Sequence, residues 1–301
     1  MTTEHIKKAL VRVIVFALCF FVGFGISNLA KAQATNEPSL LWKIEGNGIQ
    51  PSYLFGTFHI LPKDDFVLKS KVTEAFGKAS QLVMELDMDD PQMPVQMSQH
   101  LMMKDGQTLE QLFDANEFNL LDSALQKVMG VGATQVNNMK PFMIYAAMLQ
   151  MVMGDEPASF EGSLVQLANE GKKGIHGLET VATQMSAIDK LGYVGQAEDL
   201  MKMVKNPNEA SQLFRDLIDL YTNEDFEGIF ELTSVEMDEE GEVNYMLFER
   251  NRDWLPKMKA YATRESAFFA VGAAHLGGEF GLINLLKAAG YDLSPVYDSG
   301  L

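Results

Sequence analysis

"SYLFGTFHIL", Ser52 to Leu61, is a short apolar run that stops at Gly56 and delivers His59 three positions later. A second phrase of the same design, "AFFAVGAAHL" from Ala267 to Leu276, contains Gly272 and ends on His275 near the other end of the chain. Continuous apolar runs of this length, bounded by turn residues, read as buried strands. A glycine at the end of such a strand permits a sharp turn that aims the following side chain out of the sheet edge. The pair carries the signal. With 24 glycines and 5 histidines in 301 residues, one Gly-x-x-His arises easily by chance, and a structural histidine capping a strand would look the same.

Outward from Ser52, "LLWKIEGNGIQPSYLFGTFH" places Gly46, Asn47, Gly48 and Pro51 between two strand-like runs, which predicts a hairpin entering a sheet. Val67, Val72, Ala75, Phe76 and Ala79 then fall at helical spacing, and "SQLVMELDMDD" follows as an apolar burst ending in acids. Strand, helix and strand make a parallel crossover, so His59 and Glu85 should leave the carboxyl ends of strands one or two spacings of about 5 Å apart. The grammar returns twice. "SLVQLANEGKKGIHGLET" reads as a helix closed by Gly171 and a strand from about residue 173 to 178 that ends on Glu179. "RESAFFAVGAAHLGGEFGLINLLKAAGYDLSPVY" reads as a buried strand, the turn from Gly272 to His275, a helix over about 281–289 stopped by Gly290, and a last strand. His59, Glu85, Glu179 and His275 thus sit at strand ends, the edge where open α/β sheets bind ligands. Each has a plain alternative: Glu85 opens an acidic exit with Asp87, Asp89 and Asp90, and Glu179 suits the start of the next helix.

The segments about 93–160 and 181–261 read as helical cover over that edge. Most of the 19 methionines fall in them, and an unbranched thioether fills irregular gaps between helices, so packing is preferred to a copper site. His100 reads as surface and His176 as a strand face. A serine or cysteine nucleophile has no support: there is no G-x-S-x-G elbow, and the sole cysteine, Cys19, lies in the first segment. That segment, residues 1–34, has Lys7, Lys8 and Arg12 before an apolar run from Val13 to about Ile26 and small residues at Ala30, Ala32 and Ala34. It reads as a signal peptide cleaved after Ala32 or Ala34, its apolar run short for a membrane span and an uncleaved anchor the minority reading, and the expected product is periplasmic or extracellular with no stable membrane insertion. Residues 35–301 suffice for one domain. The formal net charge of −17 grows more negative once that basic leader is removed, which argues against nucleic acid as a partner.

Five ordered blocks, "LWKIEGNGIQPSYLFGTFHILPKDDF", "VTEAFGKASQLVMELDM", "GKKGIHGLET", "FERNRDWLPKM" and "FFAVGAAHLGGEFGLINLLKAAGYDLSPV", resemble those of the TraB/GumN family, which includes the Tiki metalloproteases. The resemblance implies an α/β fold of paired, largely parallel sheets with a strand-end active site and a mainly helical middle, related to haem-binding and erythromycin-esterase-like proteins. It implies functional positions at Gly56 and His59, Glu85, Glu179, Arg250 with Asn251, and Gly272 with His275. Two imidazoles and carboxylates form a mixed nitrogen and oxygen set suited to manganese, cobalt, zinc or iron. The expectation is a divalent-metal hydrolase acting on peptides or proteins: His59, His275 and Glu85 hold the ion, and one of Glu85 and Glu179 accepts the proton of water. Arg250 is expected to grip a substrate carboxylate or oxyanion, or else to pair with Glu249 or Asp253 on its helix. Glu161 is a lesser candidate. The competing readings are a protein of the same fold that binds a metal, haem or small ligand without turnover, and an interaction module with structural histidines.

Overall fold

The computed structural model describes residues 38–152, 157–234 and 241–298. The leader expected over residues 1–34, with Cys19, lies outside them. The described residues form eight strands: β1 (Leu41–Glu45), β2 (Ser52–Thr57), β3 (Leu61–Pro62), β4 (Gln81–Met84), β5 (Pro157–Ala158), β6 (Gly174–Gly177), β7 (Ala267–Gly272) and β8 (Asp292–Pro295). Six make one sheet in the order β6-β4-β7-β2-β1-β8. The pairs β6-β4, β4-β7 and β7-β2 are parallel, whereas β2-β1 and β1-β8 are antiparallel. The sequence accounts for this division. β2, β4 and β7 are buried at every residue, as strands covered on both faces must be, while β1 mixes buried with half-buried positions and β8, at the margin, half-buried with exposed ones.

The α/β class and the mostly parallel sheet agree with expectation, and the expected second sheet is reduced to the ribbon of β3 and β5. Successive strand residues point to opposite faces and build two cores. Phe55, Leu82, Met84 and Phe268 join the larger, with Phe76, Phe160, Tyr221 and the helices of the middle region. Leu54, Val83, Phe269 and Val271 join the smaller, with Trp254 and Met258 of helix Glu249–Arg264 and Leu282 and Ile283 of helix Leu282–Ala288. Met103, Met148, Met185, Met201 and Met203 are buried in the larger core, in keeping with a packing role. Among the described residues no helix is long and apolar enough to cross a membrane.

Gly56 differs from its sequence-based role. It lies inside β2 opposite Val271, not at a turn. A β-carbon there would stand 3.1 Å from Ala273 Cα and from the side chains of Leu40 and Leu276, so glycine is needed for room. Its carbonyl accepts a hydrogen bond from the buried Tyr221 hydroxyl at 3.0 Å.

One buried carboxylate ties the helical cover to both ends of the described chain. Glu224, between helices Pro207–Thr222 and Phe226–Ser234, accepts from Leu40 N at 2.9 Å, Lys69 Nζ at 2.7 Å and Lys71 Nζ at 2.5 Å. Lys71 donates onward to Ser39 Oγ and to the Val296 carbonyl. Burial alone would raise the Glu224 carboxyl, but Lys69 and Lys71 outweigh it and lower it below the usual value. Its contribution to stability is therefore present above the unfolded-state pKa and lost as pH falls through the depressed folded value. Glu224→Ala should lower unfolding free energy at pH 7 by about 3 kcal/mol, since it strands a buried lysine. Denaturant titrations from pH 7 to 3 should show a shallower acid-dependent loss in the variant than in the parent.

Candidate active site

The carboxyl edge of the parallel strands gathers the residues singled out from sequence. His59 lies two residues beyond β2, Glu85 one beyond β4, Glu179 two beyond β6, and His275 in the single turn Ala273–His275 after β7. Because β7 lies between β4 and β2, both histidine segments leave neighbouring strands, with Thr57 opposite Gly272. Backbone pairing continues past β4 and β6, with Glu179 N donating to Glu85 O at 2.9 Å, and this brings the two glutamates together.

Each imidazole is oriented by its Nδ1. His275 Nδ1 is 2.6 Å from Asn251 Oδ1, and Asn251 Nδ2 donates to the carbonyls of His275 and Phe280. With the amide nitrogen committed to carbonyls, Asn251 Oδ1 accepts, so His275 carries its proton on Nδ1 and presents a lone pair at Nε2. His59 Nδ1 is 2.5 Å from Glu161 Oε1. A carboxylate accepts only, so that nitrogen too bears a proton. The two Nε2 atoms then face one oxygen, Glu85 Oε1, at 4.0 Å from His59 and 3.8 Å from His275. The cluster is enclosed, and the most exposed of these side chains is His59 at 15%.

Arg250 is not on a helix surface. It is buried, and Glu249 pairs instead with Lys190 and Asn244. The Arg250 guanidinium bridges Glu85 Oε2 at 2.5 Å and Glu179 Oε1 at 2.6 Å, and its NH1 lies 3.2 Å from His275 Nε2. Burial would raise the Glu85 carboxyl, but Arg250, His275, His59 and the Gly272 amide, 2.8 Å from Oε1, together hold it at about 2. For Glu179 burial prevails over Arg250, and the carboxyl is raised. Burial and Arg250 push His275 down to about 3 against the pull of Glu85, so the ring is neutral near pH 7. The Glu161 carboxyl, despite burial, is lowered by His59.

Two participants escaped the sequence reading. Gln184, on helix Val181–Asp189, donates to Glu85 Oε2 at 3.1 Å. Trp254 donates from Nε1 to Glu179 Oε2 at 3.2 Å, with its ring 4.4 Å from that of His275. Trp254 was within reach, since it stands four residues after Arg250 and so shares its helix face. Gln184 offers no comparable pattern. Glu161, the lesser candidate, is the direct partner of His59 because Ser159 caps the helix Phe160–Gly171 and sets Glu161 in its first turn. His100 and His176 lie outside the cluster, and His176 stacks on Tyr261.

Among the described residues no three His, Cys, Asp or Glu side chains already stand at metal-binding spacing. The donor chemistry nonetheless fits a divalent ion. Imidazoles with Nδ1 held by a carboxylate or amide are the usual form of metal-ligating histidine, and Glu85 is kept ionised between them.

The mostly parallel sheet with a buried His, Glu and Arg cluster at its carboxyl edge defines an α/β protein with a strand-end site. The chain belongs to the TraB/PrgY/gumN family, whose family model matches residues 40–295. No curated protein and no solved structure matches it.

Replacing Asn251 by leucine should leave the His275 Nδ1 proton and two carbonyls without their partner. Loss of a buried hydrogen-bond partner costs about 1–3 kcal/mol. Thermal unfolding should show the drop, and ring-nitrogen NMR should show His275 no longer confined to one tautomer.

Proposed function

We propose that the chain is an exported, metal-dependent hydrolase that cleaves peptide bonds. The observation carrying this reading is the convergence of two imidazole Nε2 atoms, each oriented through Nδ1, on Glu85 Oε1. His59, His275 and Glu85 would hold a divalent ion such as Mn²⁺, Co²⁺ or Zn²⁺. When bound, such an ion supplies Lewis acidity that polarises a carbonyl and acidifies water. The protein's own groups then divide the work. Glu161 and Asn251 keep the imidazoles in the required tautomer. Glu85, held far below the usual carboxylate range, suits a permanent anion. Glu179, raised by burial, suits a group that takes a proton and returns it to a leaving amine. Arg250 has its donors engaged within the protein, so its role is to position both glutamates and not to grip substrate directly.

The two glutamates separate the roles. Glu85→Gln should lose bound metal along with peptide cleavage, whereas Glu179→Gln should keep the metal and lose about 10² to 10⁴ in kcat. Assays use unstructured peptides with manganese, cobalt or zinc restored in turn. If the metal-loaded parent cleaves neither peptides nor simple esters, yet a small ligand saturates the site and raises the melting temperature, a binding protein of the same fold replaces the hydrolase.

Export rests on the leader pattern. N-terminal sequencing of protein recovered from the periplasmic or extracellular fraction should begin at Gln33 or Thr35. Recovery only in detergent extracts with Met1 intact would indicate an anchor instead.

A further inference from the structure

Arg250 commits all five of its N–H groups. Nε is shared by the Glu179 oxygens at 3.1 and 3.2 Å, NH2 serves Glu85 Oε2 and Glu179 Oε1, and NH1 serves the Met246 carbonyl at 3.0 Å and His275 Nε2 at 3.2 Å. The NH1 contact with the ring has a consequence for any metal at the cluster. Asn251 holds the His275 proton on Nδ1, so Nε2 has one lone pair to give. That lone pair serves an Arg250 N–H or a metal ion, not both. Glu85 differs, since its Oε2 serves the guanidinium while its Oε1 faces the imidazoles. A second cation at Oε1 would stand beside a fixed positive charge where water screens little.

We propose that Arg250 is a built-in competing cation: its guanidinium and a divalent metal ion are alternative partners of His275 Nε2, so metal occupancy is coupled to release of the NH1 contact. The inference rests on the metal reading of the site given above. Two features allow the exchange. Glu179 grips the guanidinium through Nε and NH2, which gives it a charged pivot that survives loss of the NH1 bond. The other NH1 partner, Met246 O, belongs to the π-helical turn Asn244–Phe248 that leads into helix Glu249–Arg264. Such turns are rare and occur frequently at functional sites. The apparent metal affinity is then the intrinsic affinity multiplied by the fraction of molecules whose Arg250 has let go.

The test is binding of Mn²⁺, Co²⁺ and Zn²⁺ to the purified protein by equilibrium dialysis in the parent, Arg250→Met and Arg250→Lys. Trp254 emission in a Trp42→Phe background gives a second readout, because the Trp254 ring lies 4.8 Å from the guanidinium carbon and against His275, and Trp42 is the only other tryptophan. Arg250→Met should bind metal about tenfold or more tightly than the parent, a change within the usual range of coupling between two ligands. Its melting temperature should rise further on metal addition. Arg250→Lys keeps the charge but lacks a fork able to span Glu179, Glu85 and His275, and should fall between the two. In the parent, Trp254 emission should follow the dialysis isotherm. Equal or weaker binding in a folded Arg250→Met overturns the proposal. If that variant does not fold, binding by Arg250→Lys no tighter than the parent's overturns it. Absence of binding in all three would overturn the metal reading as well, which separates failure of the site assignment from failure of the competition.

Discussion

The buried guanidinium of Arg250 is the contact on which the architecture of the sheet edge depends. β4 and β6 are adjacent and parallel, and each runs out into a glutamate, so two carboxylates leave water side by side. Unanswered, each would carry several kcal/mol of desolvation cost in addition to their mutual repulsion. A planar fork of donors answers both at once, which a single lysine ammonium does less well. Arg250 reaches them because helix Glu249–Arg264 packs on the smaller core through Trp254 and Met258, and Trp254 supplies the remaining bond to Glu179. Arg250 favours the charged form of both neighbouring acids, yet they end with opposite tendencies. Glu85, which also faces two imidazoles and the Gly272 amide, is locked as an anion, while for Glu179 burial prevails over Arg250 and Trp254 and raises the carboxyl.

The second constraint is topological. The strand that arrives late in the chain, β7, takes the place between β4 and β2. Both Gly-x-x-His segments therefore leave neighbouring strands in nearly matched register, and Glu85 stands on the other side of β7 from His59. Close approach follows. The turn after β7 presses Ala273 against Gly56, which is why glycine sits there, and Tyr221 from the helical cover fixes the same residue through its carbonyl.

Much of this was legible because strands announce themselves locally. Apolar runs ending at glycine or acid marked β2, β4, β6 and β7, and their edge alignment followed from parallel crossovers. The number of sheets was not legible, since pairing partners are set by contacts distant in sequence, and the expected second sheet is only the ribbon of β3 and β5. Side-chain partnerships across elements were hidden for the same reason. Nothing in "FERNRDW" distinguishes an arginine paired along its helix from one driven into the core; the local charges of Glu249 and Asp253 favour the wrong answer. Glu161 was undervalued likewise, because the angle at which helix Phe160–Gly171 meets β2 decides whether it touches His59. The helical cover was compositional and needed no contacts to be read.

The two imidazoles, alike in motif, are held in unlike ways. His275 is buried, pinned by the neutral amide of Asn251 and depressed by burial and by Arg250, so it stays a neutral base. His59 is the most solvent-facing member of the cluster and is pinned by a carboxylate, Glu161, which is itself held ionised by that contact. A carboxylate behind an imidazole raises the ring's basicity and stabilises any positive charge that develops on it, whereas an amide only orients it. The asymmetry sets a direction across the site. Charge arriving from solvent meets His59 first, backed by Glu161, while the inner face, between His275 and Arg250, is already electrostatically satisfied. On the proposed reading, an ion arriving past His59 would engage the inner half only by displacing the Arg250 contact with His275.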